Sequence, residues 1–457
     1  MKLKVTTRQF PVFLSVIFSL LLPVVAEGAQ KSETVRVALE RQAKSLSFIA
    51  NGDYQLIDLS NNKVITKIGR KESWQVDLQA GQIMFQSSGK KFGPFSGPVV
   101  VQENNTRISV IAANKNVVER ISMNDLVALN ASEESVNLGE NTSLYVRNDR
   151  AQKELASSSG LNLISLLEGA EYKRYRGNIE FRVESGGLVA INELNIEDYL
   201  RGVVPAEMPS SWPAEALKAQ AVVARNYALQ KVEATSGSSY NLTNDQFSQV
   251  YSGYDAEVSA TDKAIEETRG VVMLNRGNLI SAFFHSSSGG YTENSEDVWY
   301  NALPYIKYKV DPYDKNNLHY NWQVNYTAAQ LLEVFKSAGY KFKNITGIDT
   351  AYTASGARVK KLTVSGVGTD GKPLRAEIAN ADNVRIALGL KSALFTLKKV
   401  YDKDKNLTGV NITGSGWGHG LGLSQWGANG MAKQGYKYQD ILKYYYSEIN
   451  IVENYGK

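Results

Sequence analysis

The chain has 457 residues, 43% of them hydrophobic, with 51 basic side chains against 46 acidic ones and no cysteine. That length and apolar content allow two or three domains with buried cores, and the lack of cysteine excludes disulfides, thiolate metal sites and a lipid-modified N-terminal cysteine. The formal net charge of +5, which falls to +3 when residues 1–29 take away three bases and one acid, is too weak to argue for a nucleic-acid partner.

Residues 1–29 read as a signal peptide. Lys2, Lys4 and Arg8 form a basic start, Phe10 to Val25 is apolar but interrupted by Pro11 and Pro23, and Ala26, Gly28 and Ala29 offer small residues for a signal peptidase. The apolar run is shorter than the roughly 20 residues of a spanning helix, so cleavage is favoured over the alternative, an uncleaved N-terminal anchor. Export to the periplasm or cell wall is therefore expected, and it argues further against nucleic acid or a nucleotide. The small positive charge suits a modest attraction to an anionic envelope polymer.

From Val35 to about Val146 short β-like runs follow one another: VRVAL, QLIDL, KVITKI, WQVDL, QIMFQ, PVVVQ and RISVIA, separated by turn residues such as Asn51-Gly52-Asp53 and Asn61-Asn62. The spacing predicts an accessory β-rich module over residues 30–150, built as a sandwich or barrel. It contains no histidine and no constellation of acids, which gives it a structural or targeting role. Residues 147–160 read as a linker or short helix, and 151–457 as a second domain. The fold class expected for the whole is α+β, with a central buried helix and an N-terminal all-β module.

Strands resume near Tyr172, with a turn at Gly186-Gly187, and lead into YLRGVVPAEMPSSWPAEALKAQAVVARNY, Tyr199 to Tyr227. Pro205 and Pro209 stiffen the chain around Glu207, so a loop from Val203 to Pro209 is expected to present that carboxylate. Pro213 suits a helix start and Glu215 suits the positive end of its dipole. Leu217, Ala221, Ala224 and Ala228, with Gln220 and Tyr227, then recur at three- and four-residue spacing and make one small-residue face of a core helix. Burial beside Met208 and Trp212 would raise the carboxyl pKa of Glu207 as a general acid/base requires, although a lone glutamate is more often solvated or ion-paired.

Further on, NLTNDQFSQVYSG precedes a short helix near residues 260–268, and a hairpin turns around Asn275-Arg-Gly-Asn278 and ends at His285. The loop SSSGGYTENSEDVW follows. A helix over Thr327 to Ala338, a hairpin over Val359 to Ile378, a helix capped by Asn380 and two strands bring the chain to TGSGWGHGLGLSQWGANGMAKQGY, Thr413 to Tyr436. Glycine takes every second position from Gly414 to Gly422. If the segment is extended, bare backbone lies on one face, and Ser415, Trp417, His419 and Leu421 lie on the other; the alternative is a set of tight turns packed on the core. Ser424 can cap the following helix and Gly435 can end it.

Local motifs for other chemistries are missing. His285 beside a serine run lacks G-x-S-x-G, His285, His319 and His419 form no H-E-x-x-H, and no βαβ unit surrounds the glycine run.

The stretches from Tyr199, then SQVYSG, HSSSGGYTENSEDVW and GWGHGLGLSQWGANGMA, taken in this order, resemble the stage II sporulation protein D and amidase-enhancer family, over about Glu171 to Tyr446. The resemblance implies a protein acting on peptidoglycan outside the cytoplasmic membrane. Sporulation members are lytic transglycosylases that cut between N-acetylmuramic acid and N-acetylglucosamine without water and leave a 1,6-anhydro end. It places the catalytic glutamate at Glu207, in Pro205-Ala-Glu-Met-Pro209. Gln220, Arg225, Gln249, Tyr251, His285, Ser288, Gly289, Glu293, Trp417, His419, Ser424 and Gln425 become candidates for binding the glycan, each with scaffold packing as the alternative. A lysozyme-type hydrolase would show a second carboxylate, for which Asp245, Glu293, Glu296 and Asp297 are candidates. Sporulation members can carry Cys and His before the Gln-Val-Tyr motif as a zinc site; NLTNDQFSQVYSG has neither, so no metal or other cofactor is expected. The amidase-enhancer branch keeps open a non-enzymatic protein whose partner is a cell-wall amidase.

Overall fold

Alternating burial along short strands builds the first part of the chain. In the segment Ser45–Asn51, Leu46, Phe48 and Ala50 point inward while their neighbours are less buried, as the two-residue period of a strand requires. The structure, a computed structural model, describes residues 34–104, 162–299, 301–315 and 317–455. The signal peptide, the strand RISVIA and the linker expected at 147–160 lie outside them. The described residues form the expected α+β fold and separate into two compact units, one of residues up to 199 with 237–255, the other of 200–236 with 256–456.

In the first unit two sheets carry the core. A seven-stranded sheet runs in the order Leu242–Thr243, Thr34–Ala43, Gly187–Asn195, Asn178–Glu184, Val99–Glu103, Tyr54–Asp58, Lys63–Ile68. A six-stranded sheet runs Glu171–Tyr175, Leu163–Glu168, Ser45–Asn51, Glu72–Gln79, Gln82–Ser87, Lys90–Phe95. Phe181 of the first sheet meets Phe48 and Phe85 of the second at ring distances of 5.5 and 5.7 Å, and Phe48 stacks on Trp74 at 6.1 Å. The expected sandwich thus extends to the strands at 163–195, which share sheets with residues 34–103.

The division between the units falls inside helix α1, Ile196–Glu207. This corrects the loop expected from Val203 to Pro209: the helix continues through Pro205, and Glu207 is its last residue. Leu200, Val203 and Val204 are fully buried, and the apolar contact they make outweighs the penalty for proline in the final turn, where one N–H bond is lost. Met208 N–H still closes that turn onto Val204 O at 3.0 Å.

In the second unit, helix α2, Ala214–Ala234, starts after Pro213 and is buried along both its alanine and valine positions. Its small side chains let α3, Ser259–Glu267, and the hairpin Val272–Asn275 with Asn278–Leu279 approach closely. Asn226 binds this hairpin to the helix: its Nδ2 donates to Met273 O and Ile280 O, and its Oδ1 accepts from Met273 N at 2.5 Å. A single turn α4, Ser295–Val298, follows His285 and its loop. Residues 322–414 then form a module with its own core of Trp322, Leu331, Phe335, Ile348, Leu362 and Ile412. It holds two three-stranded sheets and the helices α5, Ala328–Ser337, and α6, Ala381–Ala387. Thr327 opens α5 with a full capping box to Gln330. Asn380 stands at the start of α6 at φ 74° and makes no side-chain cap. The chain returns through α7, Gln425–Lys433, and α8, Tyr438–Tyr445, which pack on α2. No described helix is long and apolar enough to cross a membrane.

Candidate functional site

Glu207 is half-buried at the C-terminal end of α1. Its backbone carbonyl accepts a 3.0 Å hydrogen bond from Gln425 Nε2, at the first position of α7. Met208 packs with Ala216, Leu217 and Ala264 against Trp212, whose ring lies 4.8 Å from that of Trp426. Tyr227 of α2 feels the same carboxylate: burial raises its hydroxyl pKa first, and the negative charge of Glu207 raises it further. An aromatic series leads onward, from Tyr227 to Phe283 at 6.4 Å, from Phe283 to Trp299 at 4.6 Å, and from Trp299 to His419 at 5.1 Å.

Two of the three histidines, far apart in sequence, meet here, with the rings of His285 and His419 5.5 Å apart. His285 Nδ1 lies 3.1 Å from Leu421 O and so carries the proton, while its buried Nε2 finds no partner among the described residues. Burial, followed by the nearby His419 and Arg358, pushes its pKa well below the usual imidazole range. His419 Nδ1 accepts from Leu421 N, and burial pushes its pKa down to about 4. Both rings are therefore neutral near pH 7. His319 stands apart, edge-on to Trp417 at 4.4 Å, with Lys391 Nζ 5.4 Å over the indole.

The glycine run is not extended. Gly416, Gly418, Gly420 and Gly422 all have φ between 66° and 112°, so the bare-backbone face expected of a strand does not form and the tight-turn alternative is what the chain adopts. Each glycine packs where a side chain would collide: a Cβ at Gly416 would stand 2.8 Å from Ser287 O, one at Gly418 2.7 Å from His285 Cβ, and one at Gly420 would overlap the Arg358 guanidinium. Two short parallel strands, Phe284–His285 and Leu423–Ser424, fasten the ends.

Beneath this run lies a buried polar network that the sequence reading missed. Asp311 and Asp314 are both fully buried. Asp314 Oδ2 accepts from Ser287 Oγ, Ser288 Oγ and Gly289 N at 2.7, 3.0 and 2.6 Å, and its Oδ1 accepts from Ser424 Oγ at 3.2 Å. Asp311 Oδ2 accepts from Ser288 Oγ and Tyr445 OH at 2.8 and 3.0 Å. Burial, with the charge of Asp314 second, pushes the Asp311 pKa up to about 6. Arg358, fully buried, donates from Nη2 to Ser288 O and Tyr291 O, and burial lowers its pKa to about 10 against the attraction of Glu293 and Asp314. The only hint in the sequence was the pair of acids in Asp311-Pro-Tyr-Asp314, in a region without clear period.

The candidates thus fall into groups. Ser288, Gly289 and Ser424 lie inside the polar network, and Glu293 accepts from Thr353 Oγ1 and Ser355 Oγ at 2.8 and 2.7 Å. Arg225 donates to Val271 O and Ile265 O. Gln220 is buried on α2 with both amide atoms unpartnered among the described residues. Gln425 is joined to Glu207 directly, His285 and His419 to each other, and Trp417 remains 44% exposed. Gln249 and Tyr251 belong to the first unit, where Tyr199 OH donates to Gln249 Oε1 and Tyr251 OH to Asn192 Oδ1. Of the second-carboxylate candidates, Asp297 pairs with Lys360 at 2.6 Å, Glu296 with Lys307 at 3.9 Å and Asp245 with Arg41 at 3.5 Å.

A family model described as stage II sporulation protein matches residues 184–274, and one described as a domain of unknown function matches 293–422. Stage II sporulation protein D of Bacillus subtilis is 34% identical over 284 residues, 58% of this chain and 76% of that protein. An uncharacterized protein of Brachyspira hyodysenteriae is 33% identical over 303 residues, 63% of this chain and 74% of its own. The amidase enhancer of Bacillus subtilis is 33% identical over 354 residues, 67% of this chain but 47% of its own length.

Proposed function

This chain belongs to the stage II sporulation protein D family, and from that premise we propose that it is an exported cell-wall protein, a peptidoglycan lytic transglycosylase with Glu207 as its acid and base. The observation that carries this reading is the fixation of Glu207: the acid ends a buried helix, its backbone is tied to Gln425, and Tyr227 lies within the field of its carboxylate.

Glu207 in its acid form protonates the glycosidic oxygen as the bond from C1 of N-acetylmuramic acid breaks and positive charge develops on the sugar ring. The resulting carboxylate takes the proton of the C6 hydroxyl while O6 bonds to C1, which yields the 1,6-anhydro end and returns the acid to its starting form. Glu293, Glu296 and Asp297 are each engaged with other partners, which favours this single-carboxyl route over a two-carboxylate hydrolase.

Incubating the purified protein with peptidoglycan and analysing the products by mass spectrometry tests the assignment. The 1,6-anhydro ends are expected, and Glu207→Gln should lower their rate by about 10²–10⁴-fold, the range of general acid/base catalysis. Reducing ends would mean a hydrolase. A second reading, a non-enzymatic activator of a cell-wall amidase, rests on the match to the amidase enhancer across 67% of the chain. It predicts no cleavage of intact, peptide-free or deacetylated glycan, and stimulation of an added amidase that survives Glu207→Gln.

A further inference from the structure

A groove of about 1120 Å³ opens on the inserted module between α5 and α6, beside the strand Pro373–Ala379. Tyr326, Gln330, Glu333, Tyr340, Asn383 and Ile386 line it, and none of them contributes to the surroundings of Glu207 described above. Its volume exceeds the roughly 300–1,000 Å³ of clefts that hold a drug-sized ligand, so a chain of more than one ring has room.

The polar groups in it are set in advance. Gln330 Oε1 accepts from Thr327 N and Oγ1 at 3.0 and 3.1 Å, which leaves its amide N–H groups for a guest. Asn383 Nδ2 donates to Ala379 O at 3.0 Å, which leaves Oδ1 as an acceptor. Tyr326 OH donates to Leu388 O at 2.9 Å and so fixes its ring. Side chains already immobilised lose little freedom on binding. Ile386, 61% exposed, and Tyr340 add apolar surface to these donors and acceptors. The two carboxylates of the lining, Glu333 and Glu377, are paired with bases beside the groove, Glu333 with Lys336 at 3.4 Å and Glu377 with Arg375 at 3.4 Å and Lys361 at 3.6 Å, so the rim carries both signs and offers both donors and acceptors. Amides and carboxylates that pair with hydroxyls, interleaved with faces that pack on C–H groups, match the alternating surface of a sugar chain.

We propose that the groove between α5 and α6 binds an oligosaccharide, separately from Glu207 and whatever reaction that residue performs. The test is hydrogen exchange read by mass spectrometry on the full chain, carried in a Glu207→Gln background, with and without a soluble tetramer of β-1,4-linked N-acetylglucosamine. Slower exchange is expected in peptides covering α5 and α6. Asn383→Ala and Ile386→Asp, both exposed positions, should raise the tetramer concentration needed for that protection at least tenfold while the circular dichroism spectrum stays unchanged. Protection confined to peptides around Glu207, protection of α5 and α6 that both variants retain, or stronger protection there by polyglutamate or an unrelated peptide than by the tetramer would overturn the inference. The first of these outcomes would leave the reading of Glu207 intact, whereas 1,6-anhydro products are measured independently of this groove.

Discussion

The sandwich core of the first unit and the polar network of the second are both buried, yet they are held by different physics. Phe48, Trp74, Phe85 and Phe181 exclude water and need only fill volume. Asp311, Asp314, Glu293 and Arg358 have given up hydration, a loss that is offset only while every hydrogen bond stays in place. The second arrangement is the less forgiving, and it stands next to the candidate acid: Ser424, bonded to Asp314, precedes Gln425, which holds the Glu207 carbonyl. Rigidity at Glu207 is thus connected through one residue to a core built of charges.

Four substitutions would break or sharpen this contrast. Gly420→Ala should do the greatest harm, about 4 kcal/mol in denaturant unfolding, because it combines a positive φ with a collision at a buried guanidinium. Arg358→Lys keeps the charge but loses the planar fork that reaches Ser288 O and Tyr291 O. It should cost about 3 kcal/mol, near the lower end for breaking a buried charged cluster.

Asp311→Asn probes the network through pH. The folded pKa of Asp311 is raised to about 6, so this acid binds its proton more tightly folded than unfolded, and stability falls as pH rises from about 4 to 6. His419, lowered to about 4, acts oppositely, since the unfolded ring protonates first as pH falls below its ordinary value. The variant should therefore lose stability more steeply than the wild type on acidification from pH 6 to 4, by no more than about 3 kcal/mol over that window. Unfolding curves at several pH values check the sign, and identical slopes would remove Asp311 from the account. The smallest effect is expected in the sandwich, where Leu46→Met at a buried strand position should cost about 1 kcal/mol, as volume-conserving apolar exchanges do. If it exceeded the cost of Arg358→Lys, the contrast between the two cores would be lost.

Much of the architecture was legible wherever a local rule decides the outcome. The helix expected over Thr327 to Ala338 is α5, Ser424 caps α7 through Gly427 N, and Gly435, at φ 90°, follows its end. The run QIMFQ declared the strand Gln82–Ser87, in which Ile83 and Phe85 are buried. Pro205 misled because its rule is also local, while burial of Leu200, Val203 and Val204 is a property of the folded surroundings. The glycine alternation was visible but its meaning was not, since a two-residue period fits a strand and also fits a backbone that turns to positive φ at every second residue. Nothing near Asp311 or Arg358 in the chain says that their partners come from residues 288–291 and 445.

The way residues 322–414 join the rest of the second unit has a further consequence. Trp322 and Gly414 face each other as paired strand residues, and Glu293 N–H bonds Gly420 O just outside them. The module therefore leaves and re-enters the host fold at one place, with its own core between. It is nevertheless not a detachable cassette: Arg358, Thr353 and Ser355 reach out of the module to Ser288, Tyr291 and Glu293, so bridging the two ends with a short turn would strip the buried cation from the polar network along with the groove between α5 and α6.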